Sequence, residues 1–171
     1  MSQRKSSFAP VVDEHTRVLI LGSLPGERSL AEQRYYAHPR NLFWQLVGEV
    51  IGQDLAAMGY EDRLSRLLRS GIGLWDVVGS GRRQGSLDSA IREVKANPLG
   101  ELVEGLPQLR AVAFNGQKAA TLGQRLLAER APELLRLPSS SPAYAAMRRE
   151  EKQKHWLALR DFLETPRAEG H

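Results

Sequence analysis

The sequence predicts an α/β fold, a three-layer α/β/α sandwich around a central, mainly parallel sheet of about four strands. Two observations carry that expectation. Short apolar runs of strand length, at residues 18–21, 72–78, 109–114 and 134–137, alternate with longer stretches whose apolar residues recur at helical spacing. The run Val18-Leu19-Ile20-Leu21 is apolar at every position, the pattern of a strand covered on both faces by helices. With 171 residues, one domain spanning 1–171 buries a sizeable core, whereas two would each be small.

Taken in order, residues before about Arg17 form a lead-in, of which residues 8–12 are able to dock as an edge segment. Residues 18–21 then form a buried strand and 22–29 its functional loop. Leu42, Phe43, Leu46, Val47 and Val50 return with helical spacing, and Asn41 is placed to cap that helix through its side-chain oxygen. A second helix over 61–69 carries Leu64, Leu67 and Leu68 on one side and stops at Gly71. Residues 72–78 read as a strand and 79–86 as a polar, turn-rich loop. A helix through Asp88, Ala90, Ile91 and Val94 follows, then a short one around 99–106. Strand 109–114 ends at Asn115-Gly116, residues 117–130 suit a crossover helix, 134–137 form one more strand, and 147–163 a terminal helix with Trp156, Leu159, Phe162 and Leu163 on its packed face.

Composition narrows the chemistry. Hydrophobic residues make up 42% and charged residues 26%, which is ordinary for a globular chain. The formal charge of +4 favours encounter with nucleic acid without a long basic tail. There is no cysteine, so disulfides, thiolate catalysis and iron-sulfur or zinc-thiolate centres are excluded. Neither a signal-peptide core nor a membrane-spanning run is present, and the expected location is cytoplasmic, associated with DNA. The first strand is followed by neither a dinucleotide-binding glycine pattern nor a phosphate-binding loop with its lysine. No cofactor, metal, membrane contact or obligatory protein partner is expected.

In open parallel sheets the loops beyond the strand C-termini share one crevice, and here those loops contain Ser23, Asp76, Asn115 and Ser139. Gly22 and Gly26 let a base or sugar approach the backbone around Leu24, while Pro25 restrains the turn. Tyr36 offers a face for stacking an extruded base, and Asn41 can orient water or read a base through its amide. His38 is a possible electrostatic accessory or a constrained structural histidine. Arg40 can meet phosphate, as can Arg82 and Arg83, which otherwise form a solvated charge pair. Asp76 can orient water or serve as a cap. Asn115 can face the flipped base or simply end its strand. Ser139, Ser140 and Ser141 sit between Pro138 and Pro142 as compact phosphate-binding hydroxyls, and Tyr144 either wedges near the vacated base or packs the loop.

Gly22-Ser23-Leu24-Pro25-Gly26, Tyr36-Ala37-His38-Pro39-Arg40-Asn41-Leu42-Phe43-Trp44 and Leu137-Pro138-Ser139-Ser140-Ser141-Pro142 together resemble, in this order, three motifs of the uracil-DNA glycosylase superfamily, in particular its hypoxanthine-directed branch. They are its first catalytic loop, its aromatic and asparagine segment and its DNA-insertion loop. The resemblance spans residues 17–163. It implies a monofunctional glycosylase that hydrolyses the N-glycosidic bond of deaminated bases in duplex DNA, hypoxanthine first, with Asn41 the principal catalytic residue. Related first loops often carry Asp, Asn or Glu where this chain has Ser23, and a serine hydroxyl is a weaker activator of water. That departure argues against uracil as the sole substrate. A uracil- or mismatch-directed glycosylase and a catalytically inactive nucleic-acid-binding module are the alternatives.

Overall fold

The central sheet is built first from β2 (Val18–Gly22), whose five residues are all buried. In the computed structural model, which describes residues 4–83 and 86–163, β2 pairs in parallel with β3 (Ile72–Asp76) on one side and with β6 (Ala111–Asn115) on the other. Strand β7 (Leu134–Leu137) adds in parallel to β6, giving the order β3-β2-β6-β7. Because side chains alternate across a strand, Val18 and Ile20 enter one core while Leu19 and Leu21 enter the other. The first core is closed by α2 (Phe43–Ile51), α3 (Tyr60–Arg69) and α6 (Arg149–Leu157), through Phe43, Trp44, Leu46, Val47, Leu67 and Trp156. The second is closed by α4 (Leu99–Glu104) and α5 (Gln117–Leu127), through Leu99, Val103, Ala119, Ala120 and Leu127. Each such large apolar side chain contributes on the order of 1.5–3 kcal/mol by leaving water. The expected three-layer sandwich with a four-stranded parallel sheet is therefore what the chain forms.

Several local expectations are corrected. The loop expected over 22–29 already turns into α1 (Glu27–Glu32). The strand expected over 72–78 ends at Asp76, and after Val77 the chain enters β4 (Val78–Arg82), a strand of a second sheet. That sheet is antiparallel, with order β1 (Arg4–Ser6), β4, β5 (Arg92–Ala96). The turn-rich loop expected at 79–86 is thus largely strand, and its residues Gln84 and Gly85 lie outside the described residues. Glycine at 79 and 81 hid the strand from a propensity reading, yet contact requires it: a Cβ on Gly79 would sit 2.7 Å from Asn97 Oδ1. The helix expected through Asp88 to Val94 is a 3₁₀ turn, Asp88–Ala90, followed by β5, whose five residues are all exposed. The terminal helix is broken into α6 and α7 (Arg160–Leu163).

The lead-in is ordered by the parallel sheet. Val11 bridges Leu74 in both backbone directions at 2.9 Å, and Trp75 Nε1 donates to Phe8 O. No helix among the described residues is long and apolar enough to cross a membrane.

Candidate active site

Four parallel strands end at one edge of the sheet, and the register there sets Gly22 beside Asp76. The segments leaving that edge enclose a pocket of about 140 Å³. It is lined by the first loop from Gly22 to Gly26, by Tyr36, His38 and Asn41, by Asp76 and Asp88, by Asn115, and by Ser139 to Pro142. Residues far apart in sequence meet there because parallel crossovers return every strand C-terminus to the same side.

Asn41 sits at the entry to α2. Its Oδ1 accepts the Phe43 N–H at 3.0 Å, which fixes the orientation of the amide, since only the oxygen can accept. The Nδ2 group has no protein partner among the described residues and belongs to the pocket wall. The ring of Tyr36 lies flat on Phe43, centroids 3.8 Å apart and planes within 7°, and edge-on to Trp44. Trp44 Nε1 in turn donates to Tyr36 O. One face of Tyr36 is thus fixed by packing, on a residue held in the left-handed region at φ 52°. Its hydroxyl is buried, and burial and then Asp76 push its pKa above the ordinary tyrosine range while the Asn115 amide pulls the other way.

The serine loop is tied to the sheet and to the Asn41 segment at once. Asn115 Nδ2 donates to Ser140 Oγ and Asn115 Oδ1 accepts the Ser140 N–H, both at 2.9 Å, while Ser140 O accepts the Leu42 N–H. Ser140 is 1% exposed, so its expected phosphate contact is corrected: the hydroxyl is an internal clamp. Asn115 spends one valence at each end of its amide on that clamp, and the same amide acts on the Tyr36 hydroxyl at the pocket wall. Ser139 Oγ and Ser141 Oγ accept the Ser141 and Ala143 N–H groups, leaving their own O–H donors for an outside acceptor. Tyr144 is exposed at 39%, and Lys152 of α6 secures it by donating to Tyr144 O and lying over its ring.

Arg83 is the largest correction. The expected surface phosphate contact is 1% exposed, and its guanidinium donates to the carbonyl of Leu24, at 3.4 Å, and to that of Pro25. It also faces Asp88 at 3.8 Å. Arg82, the last residue of β4, goes outward to pair with Glu93, while Arg83, in the loop that follows, turns inward beneath the first loop. Arg82 is not among the pocket-lining residues, nor is Arg40, which is exposed. His38 lines the pocket and accepts the Arg40 N–H through Nδ1. Ser23 is buried and donates to Asp88 Oδ1 at 2.5 Å.

Asp88 was missed by sequence reasoning because its neighbourhood reads as helix. An acidic residue in a Gly/Ser-rich run just after a paired arginine was the signal for a buried ion pair. Burial raises its pKa, against the pull of Ser23 and Arg83. Asp76 is 4% exposed and its carboxyl is pushed up to about 7, by burial first and the charge of Asp88 second, with Arg83 pulling the other way. Well below pH 4 the folded and unfolded chains both hold this proton. As pH rises toward 7 only the unfolded chain releases it, so stability falls, and the loss is complete above 7. Asp76→Asn is expected to raise Tm by several degrees at pH 8 and to lose that advantage toward pH 3, as thermal unfolding at the two pH values would report.

Residues 9–163 match the family model described as the uracil DNA glycosylase superfamily. Two Methanosarcina proteins named hypoxanthine DNA glycosylase are similar to the chain. That of M. acetivorans is 43% identical over 91% of this chain and 97% of its own, and that of M. barkeri is 47% identical over 68% and 73%. A solution NMR structure of a candidate uracil DNA glycosylase from M. acetivorans superposes with a TM-score of 0.85 at 42% identity, covering 95% of this chain and all of that one. Sequence, fold and the loop-built pocket at the sheet edge agree, and the chain belongs to the uracil DNA glycosylase superfamily.

Proposed function

We propose that this protein is a monofunctional DNA glycosylase that hydrolyses the N-glycosidic bond of hypoxanthine in duplex DNA. The observation that carries the reading is the convergence of the Asn41 amide, the Tyr36 ring and the first-loop backbone on one pocket, in a chain whose relatives carry that activity in their names. A base buried in a duplex cannot reach such a pocket, so the nucleotide rotates out of the stack. Its base then lies between Tyr36, backed by Phe43, and the backbone around Leu24. Asn41 places the water that attacks C1′, its orientation fixed by the Phe43 N–H. Ser23 holds Asp88, and Asn115 lines the base pocket while it fixes the serine loop. The free O–H donors of Ser139 and Ser141, with the exposed Arg40 and Tyr144, supply backbone and wedge contacts. No lysine lines the pocket among the described residues, which supports hydrolysis over a Schiff-base route.

The test is a set of otherwise identical duplexes carrying hypoxanthine, xanthine, uracil or no lesion, incubated with the protein and then with alkali to cut at abasic sites. Hypoxanthine strands are expected to be cut fastest. Faster release of uracil would reassign the substrate, and no cutting on any duplex would leave a nucleic-acid-binding module.

A further inference from the structure

Asp76 occupies the floor of the pocket, at the C-terminal end of β3, and the roles above leave its carboxyl unused. The side chain is buried, and its Oδ2 has no hydrogen-bond partner. Buried polar atoms are nearly always paired, so an orphan on a residue that lines the cavity marks a place where a ligand atom can complete the bonding. Gly22 keeps that face open. A Cβ there would come within 2.7 Å of Asp76 Oδ1 and 3.1 Å of the Tyr36 hydroxyl.

The surrounding groups favour a neutral acid over a carboxylate. From the loop after β4, the Arg83 cation is directed at the Leu24 and Pro25 carbonyls and at Asp88. From the 3₁₀ turn, Asp88 presents a second acidic group, engaged with Ser23. From the aromatic segment, Tyr35 and Tyr36 face Asp76, both held neutral by burial. From β2 there is Gly22 backbone, and Asn97 meets only the Asp76 backbone carbonyl, at 2.7 Å. A carboxyl that lacks its own cation and stands near a second acid keeps its proton and becomes a donor.

We propose that Asp76 is a catalytic residue that gives its proton to N7 of the departing hypoxanthine. The inference rests on the glycosylase reading above. As the C1′–N9 bond breaks, its electron pair moves into the purine, and the Asp76 proton bonds to N7 so that the base leaves neutral. The water oxygen bonds to C1′ and releases one proton, which restores the Asp76 acid by way of solvent. Charge that would accumulate on the base in a low-dielectric pocket is cancelled as it forms. Burial that brings the carboxyl to about 7 matches donor strength to neutral solution.

Single-turnover release of hypoxanthine from a duplex, followed from pH 5.5 to 9 in wild type, Asp76→Asn and Asp76→Ala, tests the assignment. The wild-type rate is expected to be level at acid pH and to fall about tenfold per pH unit above a midpoint near neutrality. Asp76→Asn keeps an N–H donor in place but has no proton to transfer, so its rate at pH 6 drops roughly 10²-fold or more and the alkaline fall disappears. Asp76→Ala falls at least as far. Thermal unfolding and binding to a duplex with an abasic site establish that the near-isosteric asparagine variant is folded, which suffices if the alanine variant is not. An asparagine variant within a few fold of wild type, or one that keeps the alkaline fall, overturns the role of Asp76 alone. A wild-type protein that releases no hypoxanthine overturns the glycosylase reading itself, and the role of Asp76 with it.

Discussion

Asn41→Ala is expected to slow single-turnover release of hypoxanthine by about 10²–10³-fold, the loss typical of removing one preorganised polar group from a reacting centre. Association with duplex DNA should change little. Two jobs meet in this side chain, and they separate cleanly. Its oxygen receives the Phe43 N–H at the start of α2, so truncation also costs about 1 kcal/mol of stability, as loss of a helix-start acceptor does. Asn41 lines the pocket and its Nδ2 has no protein partner among the described residues, and that is the half assigned to water. Asn41→Asp keeps the acceptor and removes the N–H donor. The aspartate variant should therefore unfold at nearly the wild-type temperature yet remain slow, while the alanine variant is both slow and slightly less stable. If Asn41→Asp releases base at the wild-type rate, the N–H is dispensable and the amide serves α2 alone. Thermal unfolding and burst-phase cleavage on the same preparations distinguish these outcomes.

The parallel sheet and its pocket were legible because they rest on local chemistry. A run such as Val18-Leu19-Ile20-Leu21 has few ways to bury both faces other than inside a parallel sheet, and three of the strands end on Gly22, Asp76 and Asn115, residues suited to a loop. Ser23, Asp76, Asn115 and Ser139 were placed together for the same reason, since they follow or end those strands and parallel topology gathers them, whereas Tyr36 and Asn41 were tied to the site by the motif they share. What sequence reading missed lies where tertiary contact overrides propensity. The β4 strand is Val78-Gly79-Ser80-Gly81-Arg82, a poor strand by composition, and it forms because β1 and β5 supply both neighbours. Once that strand is mistaken for a loop, Arg82 and Arg83 look like one solvated pair, and Asp88 falls into a helix that does not exist. Ser140 illustrates a second limit. Three serines in a row look equivalent, and only the position of Asn115 across the pocket makes the middle one structural.

The buried arginine that this error concealed carries the larger stability prediction. Arg83→Met fills similar volume without charge, and it is expected to cost about 3 kcal/mol. Removing one member of a buried pair strands its partner, and here the Leu24 and Pro25 carbonyls are stranded too. The figure sits at the low end for such pairs because the Asp88 side chain is 39% exposed and water can partly replace the cation. At 2–4 °C per kcal/mol, Tm should fall by roughly 6–12 °C at pH 7.5. Arg83→Lys should recover only part of it, since a single ammonium cannot span two carbonyls and a carboxylate as a planar guanidinium does. The decisive comparison is Arg83→Met with Asp88→Asn added. Neutralising the stranded acid should return a share of the lost stability, and the double variant should be more stable than the methionine variant alone. Should the two substitutions simply add, the Arg83–Asp88 pair contributes nothing of its own, and the first loop is held by the carbonyl contacts alone. Base release reads the same event from the other side: with Arg83 gone the backbone of residues 24 and 25 loses its clamp, so excision should weaken even where the protein stays folded.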